Sequence, residues 1–352
     1  ALDEIEKEMK RLSASGNKFE RKVVSKEEAK EITDVDEVNF KSQFNSDIHK
    51  MITMKDEINL YLDLERMSAD TEGTISHKFA KEMMSKYPQI RVNNIYSKIG
   101  ELRLKKSPQE VEKIKKAIEI TKSGIEKLMT ECRSGMKEYE LEAYFDFNCK
   151  IKGATDLAFT TIAAAGKNAT TLHYVENNSK LKDGDLILFD LGAEYNCYNA
   201  DITRTFPISG KFTERQKEVY NSVLKVNEEI INLIKPGMKY KDINEKATDL
   251  IAEECIKLGL IKDKSEVRKY YYHSIGHSLG MDTHDIETPH RDIIFEPGVV
   301  FTVEPGIYIQ EEGIGIRIED DILVTNEGVI NLSSDIIKSV DDIENFMDKF
   351  TK

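Results

Sequence analysis

Acidic side chains embedded in apolar runs are the first sign of chemistry in this 352-residue sequence. Asp190 lies in Leu186-Ile-Leu-Phe-Asp190-Leu-Gly, and Asp201 in Asn199-Ala-Asp201-Ile-Thr-Arg-Thr-Phe. A hairpin centred on Tyr195-Asn196 sets Asp190 directly opposite Asp201, and directly opposed residues of an antiparallel pair share a face. Likewise, Glu304 lies in Phe301-Thr-Val-Glu304-Pro-Gly and Glu319 in Gly315-Ile-Arg-Ile-Glu319-Asp-Asp. A hairpin centred on Glu311-Glu312 sets this second pair face to face. Like charges so opposed destabilise a sheet, and a bare charge among apolar neighbours is costly. The acids must be protonated, point to solvent or have cations between them. A single Asp or Glu is ordinarily exposed. Two pairs, each flanked by apolar residues, favour cations, and two divalent ions would neutralise four carboxylates.

Histidines point to the same region, with five of the seven between 173 and 290. The run Tyr270-Tyr-Tyr-His273-Ser-Ile-Gly-His277-Ser-Leu-Gly280-Met-Asp-Thr-His284-Asp285 holds three of them, with glycines between that allow a substrate backbone close approach.

The elements that must position these groups are legible from their boundaries. Ser107-Pro108-Gln109-Glu110 combines an N-cap, a proline at N1 and a capping-box glutamate, and Val111, Ile114, Ile118, Ile125 and Leu128 follow at helical spacing. Thr213-Glu-Arg-Gln216 opens a second helix that Pro236-Gly237 ends, and Ile243 to Leu258 mark a third, closed by Gly259. Leu186–Phe189, Val299–Val303, Gly306–Gln310 and Gly315–Val324 read as strands. Strands separated by long helical stretches imply an α+β domain on an antiparallel sheet. Upstream of residue 105 the chain is charge-dense and poor in apolar runs. Residues 1–20 read as a charged helix, Ser25-Lys-Glu-Glu28 as a capping box, Ile58–Leu64 as a strand and 77–86 as a helix, part of a small α/β domain. The domains expected are 1–104 and 105–352.

Composition narrows the partners. A net charge of −13 argues against nucleic acid, and no run of about 18 apolar residues spans a membrane. No signal peptide is visible. Cys132, Cys149, Cys197 and Cys255 are widely spaced, which fits reduced thiols in the cytoplasm rather than a zinc site or disulfide framework.

The order Asp190, Asp201, His277, Glu304, Glu319 resembles the five-ligand pattern of the pita-bread metallopeptidases, which include methionine aminopeptidase, Xaa-Pro dipeptidase and aminopeptidase P. The contexts Phe-Asp190-Leu-Gly, Ala-Asp201-Ile-Thr-Arg-Thr-Phe, Gly-His277-Ser-Leu-Gly, Thr-Val-Glu304-Pro-Gly-Ile-Tyr and Arg-Ile-Glu319-Asp-Asp carry the likeness across about 105–335. His273, Tyr308 and Arg317 resemble the proline-specific branch, the aminopeptidase P and prolidase side of the family. The resemblance implies a pita-bread catalytic domain over 105–352. It also implies that 1–104 is part of a creatinase-type N-terminal domain whose opening strands and helix fall outside this sequence.

The same resemblance implies the chemistry. Asp190 would chelate one metal, Asp201 and Glu319 would bridge both, and His277 and Glu304 would complete the second. A ligand set dominated by hard oxygens favours Mn²⁺, with Co²⁺ or Zn²⁺ as alternatives. A hydroxide shared by two metals about 3.5–4 Å apart would attack the carbonyl before proline. Glu304 would carry the proton, His173 and His284 would contact substrate and transition state, and His273 would shape the proline pocket. Tyr308 and Arg317 would orient ligands and close the site. The expected activity is removal of an N-terminal residue preceding proline by a homodimeric Xaa-Pro aminopeptidase. The alternatives are an Xaa-Pro dipeptidase, a metal-free enzyme such as creatinase, or a non-catalytic binding module. Creatinase-like chains have lost ligands, whereas all five residues are present here.

Overall fold

A computed structural model describes residues 24–66, 70, 72–285 and 293–350. The helix expected for residues 1–20 lies outside them. The chain divides into two compact units, residues 1–97 and 98–352. The division falls seven positions before the boundary expected at 104/105. Arg103 explains the difference, because its guanidinium bonds Asp282 and Asp285 and ties the preceding turns to the second unit.

In the described part of the first unit, α1 (Lys26–Thr33) starts on Ser25, whose hydroxyl accepts from the Glu28 amide while the Glu28 carboxylate accepts from the Ser25 amide. Next come α2 (Phe44–Thr53), β1 (Ile58–Leu62), α3 (Ile75–Lys86) and β2 (Ile90–Asn94). Strands β1 and β2 pair in parallel, Ile58 beside Ile90. Ile52, Met83 and Ile90 form a small core with Ile48, Leu60, Phe79 and Val92 around it.

The division falls within α4 (Tyr96–Leu104), and the second unit continues with α5 (Pro108–Glu131) and α6 (Glu138–Ile151). Strands β3 (Asp156–Leu157), β4 (Ile162–Ala165), β5 (Leu186–Leu191), β6 (Ala193–Tyr195), β7 (Tyr198–Asn199) and β8 (Ile202–Pro207) follow. Then come α7 (Glu214–Leu233), α8 (Tyr240–Lys257), β9 (Val300–Val303), β10 (Gly306–Ile309), β11 (Ile314–Arg317), β12 (Asp320–Val324), β13 (Val329–Asn331) and α9 (Val340–Asp348). The capping boxes expected at Ser107 and Thr213 form as read. Ile114, Ile125 and Leu128 of α5, Phe145 of α6, Val219 of α7 and Ile251 of α8 bury against Ile187, Phe189, Phe206, Phe301 and Ile316 of the strands in one core.

Strand β5 is buried on both faces, and that divides its side chains. Ile187, Phe189 and Leu191 join the helical core, whereas Leu188 joins Ile162, Ala164, Ala169 and Tyr308. Asp190 has the parity of Leu188, so it faces away from the helices.

The first hairpin departs from the expected register. Glu194 pairs with Asn199 and Tyr195 with Tyr198, so the turn is Asn196-Cys197, and Asp190 lies opposite Thr203 rather than Asp201. Both turn residues have positive φ, 50° and 66°. That conformation suits asparagine and would strain Tyr195, which the expected register placed there. Moving the turn by one residue moves every partner by two, so Asp201 keeps the face it was expected to share with Asp190. The second hairpin has the expected register. Gly306 pairs with Arg317 and Val303 with Asp320, which brackets Glu304 and Glu319 as opposed positions.

Cys197→Gly should stabilise the protein by about 0.5–1 kcal/mol, because a left-handed residue with a Cβ costs about 1–2 kcal/mol and glycine's extra chain entropy returns only part of that. Urea unfolding of the two forms measures the difference, and a loss of stability would contradict this account of the turn.

Candidate metal centre

The two hairpins bring their acids to one place. Asp190 ends the apolar run of β5, and Asp201 precedes β8. Glu304 follows β9, and Glu319 stands between β11 and β12. The Glu319 amide donates to the Thr203 carbonyl at 3.1 Å, which joins the hairpins at the acids. His277 comes from the glycine-rich segment between α8 and β9. Its amide donates to Thr302 Oγ1 at 3.0 Å, and the Thr302 amide donates to the His277 carbonyl at 2.9 Å. Gly276 permits this approach: a Cβ there would lie 2.0 Å from the Thr302 carbonyl oxygen.

His277 Nε2 is 3.3 Å from Asp201 Oδ2 and 3.8 Å from Glu304 Oε1. Donor atoms of Asp201, His277 and Glu319 all lie within 4.8 Å of one another, close enough to hold one metal ion. Glu319 Oε2 accepts a 2.6 Å hydrogen bond from Thr203 Oγ1. Asp190 Oδ1 and Asp201 Oδ1 are buried with no hydrogen-bond partner. A buried carboxylate oxygen without a donor is costly, and a cation is the partner that such oxygens lack here.

The electrostatics agree. Burial, then Asp190, Asp321 and Glu304, hold Asp201 well above the ordinary carboxylate range. Burial, then Asp201, Glu304 and Asp190, do the same to Glu319. Glu304 is also raised, mainly by burial, although His277 and Arg317 oppose the shift. The four carboxylates and one imidazole therefore fit hard divalent cations.

A second layer fixes these side chains. Arg317 Nε donates to Thr203 Oγ1 at 2.9 Å, Nη1 donates to the Tyr308 hydroxyl at 3.2 Å, and Nη2 donates to Asp190 Oδ2. Tyr308 and His273 Nε2 are 2.8 Å apart, and His273 Nδ1 is 2.7 Å from the Ser274 carbonyl. Because Nδ1 must donate to that carbonyl, Nε2 accepts from Tyr308. Burial and then Arg317 lower His273 to about 3, which keeps this tautomer neutral. Its 3.7 Å approach to Glu304 is therefore no ion pair. The His284 ring lies 4.2 Å from that of His277. His173 is exposed, and its charge acts on His273.

Residues outside the sequence-derived set also hold the centre. Asp321 Oδ2 accepts from the Asp201 amide at 3.2 Å, and Asp321 itself is pushed well up by burial. Its position two residues after Glu319, on the same side of an extended chain, is the available signal. Arg204 pairs with Asp320, both fully buried, and donates to the Thr203 and Glu319 carbonyls. Burial acts upward on Asp320, but Arg204 and Lys338 outweigh it and hold the group near about 2. Asp285 is clamped by Arg103 and the buried Lys106, next to His284. Gly280 admits this clamp, since a Cβ there would meet Asp285 Oδ2 at 2.5 Å.

The sequence comparisons identify the family. The description of metallopeptidase family M24 matches residues 112–326. The chain belongs to metallopeptidase family M24. This M24 chain is 40% identical over 268 residues to Xaa-Pro aminopeptidase 3 of Rattus norvegicus, covering 72% of this chain and 53% of that protein. It is 40% identical over 266 residues to Xaa-Pro aminopeptidase of Escherichia coli, covering 71% and 60%. The M24 chain thus spans about half the length of the curated relatives it matches. A solved structure of a putative aminopeptidase P from Bacillus anthracis superposes with a TM-score of 0.92 at 46% identity, over 95% of this chain and 80% of that one. Aminopeptidase P from E. coli in a low-pH form gives 0.85 at 33%, over 94% and 80%. The fold is the α+β pita-bread fold of the M24 family, which is a family of metal-dependent peptidases. Among the described residues no helix is long and apolar enough to cross a membrane.

Raised carboxylates favour the folded state while protonated, and that contribution is lost as pH rises through their folded-state values. A bound cation offsets the loss. Mn²⁺ should therefore raise the thermal midpoint more at about pH 7.5 than at about pH 5.5, as scanning calorimetry can measure. Equal shifts at both pH values would exclude carboxylate repulsion as the source.

Proposed function

We propose that this chain is an Xaa-Pro aminopeptidase, which hydrolyses the bond between an N-terminal residue and a following proline. The observation that carries the reading is the largely buried cluster of Asp190, Asp201, Glu304 and Glu319 with His277, bordered by His273, Tyr308 and Arg317. Relatives named Xaa-Pro aminopeptidase in rat and E. coli support it.

In this reading Asp190, Asp201, His277, Glu304 and Glu319 would hold two divalent ions. Asp201 and Glu319, both held well above the ordinary carboxylate range, would be shared between them. Bound there, the ions would supply a Lewis acid and an activated water. Manganese is our choice, on the predominance of carboxylate ligands.

Glu304 is the proton carrier in this mechanism. Its raised affinity for a proton suits a group that takes one from the attacking water and returns it to the leaving prolyl nitrogen. That nitrogen belongs to a tertiary amide with no N–H, so the site must recognise the ring and the carbonyl. His273, kept neutral, and Tyr308 present a fixed surface for the ring. His284, its ring tilted against that of His277, and the exposed His173 would contact the scissile carbonyl. Arg317, which donates to Asp190 Oδ2, would keep that carboxylate aimed at the centre.

The rest of the reading concerns setting. The cysteines support a reducing cytoplasm: all four are free thiols, and burial raises Cys132, Cys149 and Cys255 each to about 12. Exposed Tyr139, Phe147 and Ile151, at spacings of eight and four along α6, support a homodimer. Residues 1–104 would be part of the creatinase-type N-terminal domain.

Asp201→Ala should abolish turnover of Ala-Pro-Ala with Mn²⁺ while far-ultraviolet dichroism is retained. Retained turnover would remove the shared-ligand assignment. Glu304→Gln should lower kcat by at least about 100-fold with a smaller change in KM, as loss of a proton carrier requires. Equal losses in binding and turnover would contradict that role. Cleavage of Ala-Pro but not of Ala-Pro-Ala would make the chain a dipeptidase.

A further inference from the structure

We propose that a cavity beside Tyr308 receives the peptide downstream of proline and selects for a carboxylate there. The proposal rests on the Xaa-Pro peptidase reading and names the substrate feature which that site would prefer.

The cavity has a volume of about 590 Å³, within the range of about 300–1,000 Å³ that accommodates small organic ligands. Buried Tyr308 lines it, together with Tyr270 and Tyr272, and exposed Lys167, Lys269 and Glu311 stand at its mouth. Tyr308 connects it to the acids, because its hydroxyl bonds His273 and Arg317, and Arg317 bonds Asp190. Tyr308 thus stands between the cavity and the acids, and in the proposal a peptide whose amino end lies at the carboxylates would run on past this side chain. The wall along this path is firm. The Tyr272 and Tyr308 rings are 5.1 Å apart, the Tyr308 amide donates to the Tyr270 carbonyl at 3.0 Å, and the Tyr272 hydroxyl donates to the Thr170 carbonyl. The aromatic faces offer apolar surface to a peptide backbone without demanding a particular side chain.

Charge at the mouth favours an anion. Lys167 has no acidic partner among the described residues. Lys269 pairs with Glu266 three positions away, an exposed contact that is weak and open to exchange. Glu311 is the acid on this rim, and the Tyr270 hydroxyl donates to it at 2.9 Å. Lys167, without an acidic partner, and Lys269, held only by the weak contact with Glu266, are the cations available to a substrate carboxylate. Both lysines are exposed whereas Tyr308 is buried, so in the proposal a residue beyond proline would carry that carboxylate.

The test compares Ala-Pro-Ala with its C-terminal amide on the Mn²⁺-loaded protein, by kcat/KM and by calorimetric binding to the same protein. The free acid should be preferred about fivefold, the factor that an ion pair of about 1 kcal/mol provides. In the double variant Lys167→Ala/Lys269→Ala the ratio should fall to about one, while Lys115→Ala, remote on α5, should keep it near five. Both cavity lysines are exposed, so their replacement leaves the core intact. A ratio near one in the unaltered protein, or a preference that survives the double variant, overturns the proposal. Calorimetry separates the two readings. Preferential binding of the acid without turnover supports the cavity assignment and refutes the peptidase reading. Turnover of both peptides at equal rates with equal affinities refutes the cavity assignment alone.

Discussion

Mutual repulsion among buried carboxylates is the constraint around which the second unit is organised. Buried Asp201 and Glu319 converge with the partly buried Asp190 and Glu304 where water screens them poorly, and Asp321 adds a fifth acid beside Asp201. Left alone, such a cluster either takes up protons or drives its strands apart. The protein answers part of the repulsion with Arg317, which bonds Asp190, and with Thr203, which donates to Glu319. The buried Asp190 and Asp201 oxygens that still lack donors mark where divalent ions would complete the balance.

Rigidity around the acids comes from a separate charge system. Fully buried Arg204 and Asp320 and the partly buried Lys338 form a group of two cations around one acid, with Arg204 also donating to the Ile336 and Ile337 carbonyls, so Asp320 needs no external ion. It stitches β8 to β12 immediately behind the acids. The contrast between neighbours is instructive. Asp320 faces two cations and is held ionised, whereas Glu319 and Asp321 on either side are pushed towards the protonated form. Alternation along a strand is enough to assign one carboxylate to structure and its neighbours to the centre.

This alternation also explains what could be read in advance. Capping boxes at Ser107 and Thr213 gave helix starts directly, because the signal is local. Opposition of Glu304 and Glu319 was legible because Glu311-Glu312 lies midway between two apolar runs. The first hairpin was read one residue short, since neither Tyr195-Asn196 nor Asn196-Cys197 carries a glycine to mark the turn. An even register shift nevertheless preserves the face, so Asp190 and Asp201 still point to the same side. Arg204 and Asp320 escaped notice for a different reason. Their importance lies in a pairing across more than a hundred residues, which no local spacing announces. The same holds for Lys106 and Asp285, whose only local trace is the small residue at Gly280. Helix α6 was missed as well, because its exposed Tyr139, Phe147 and Ile151 blur the amphipathic pattern.

The amide that Glu319 extends to Thr203 has a consequence for how the molecule is assembled. The acids of the centre come from hairpins separated by α7, α8 and the histidine-rich segment, so no partial chain ending before Glu319 contains the complete set. During synthesis the first hairpin must carry Asp190 and Asp201 without their later partners. Loop-closure entropy delays the meeting of the hairpins. Ion capture by the full set would therefore be a late event in folding, and its affinity would report the cooperativity of the whole unit as well as the strength of individual ligand bonds.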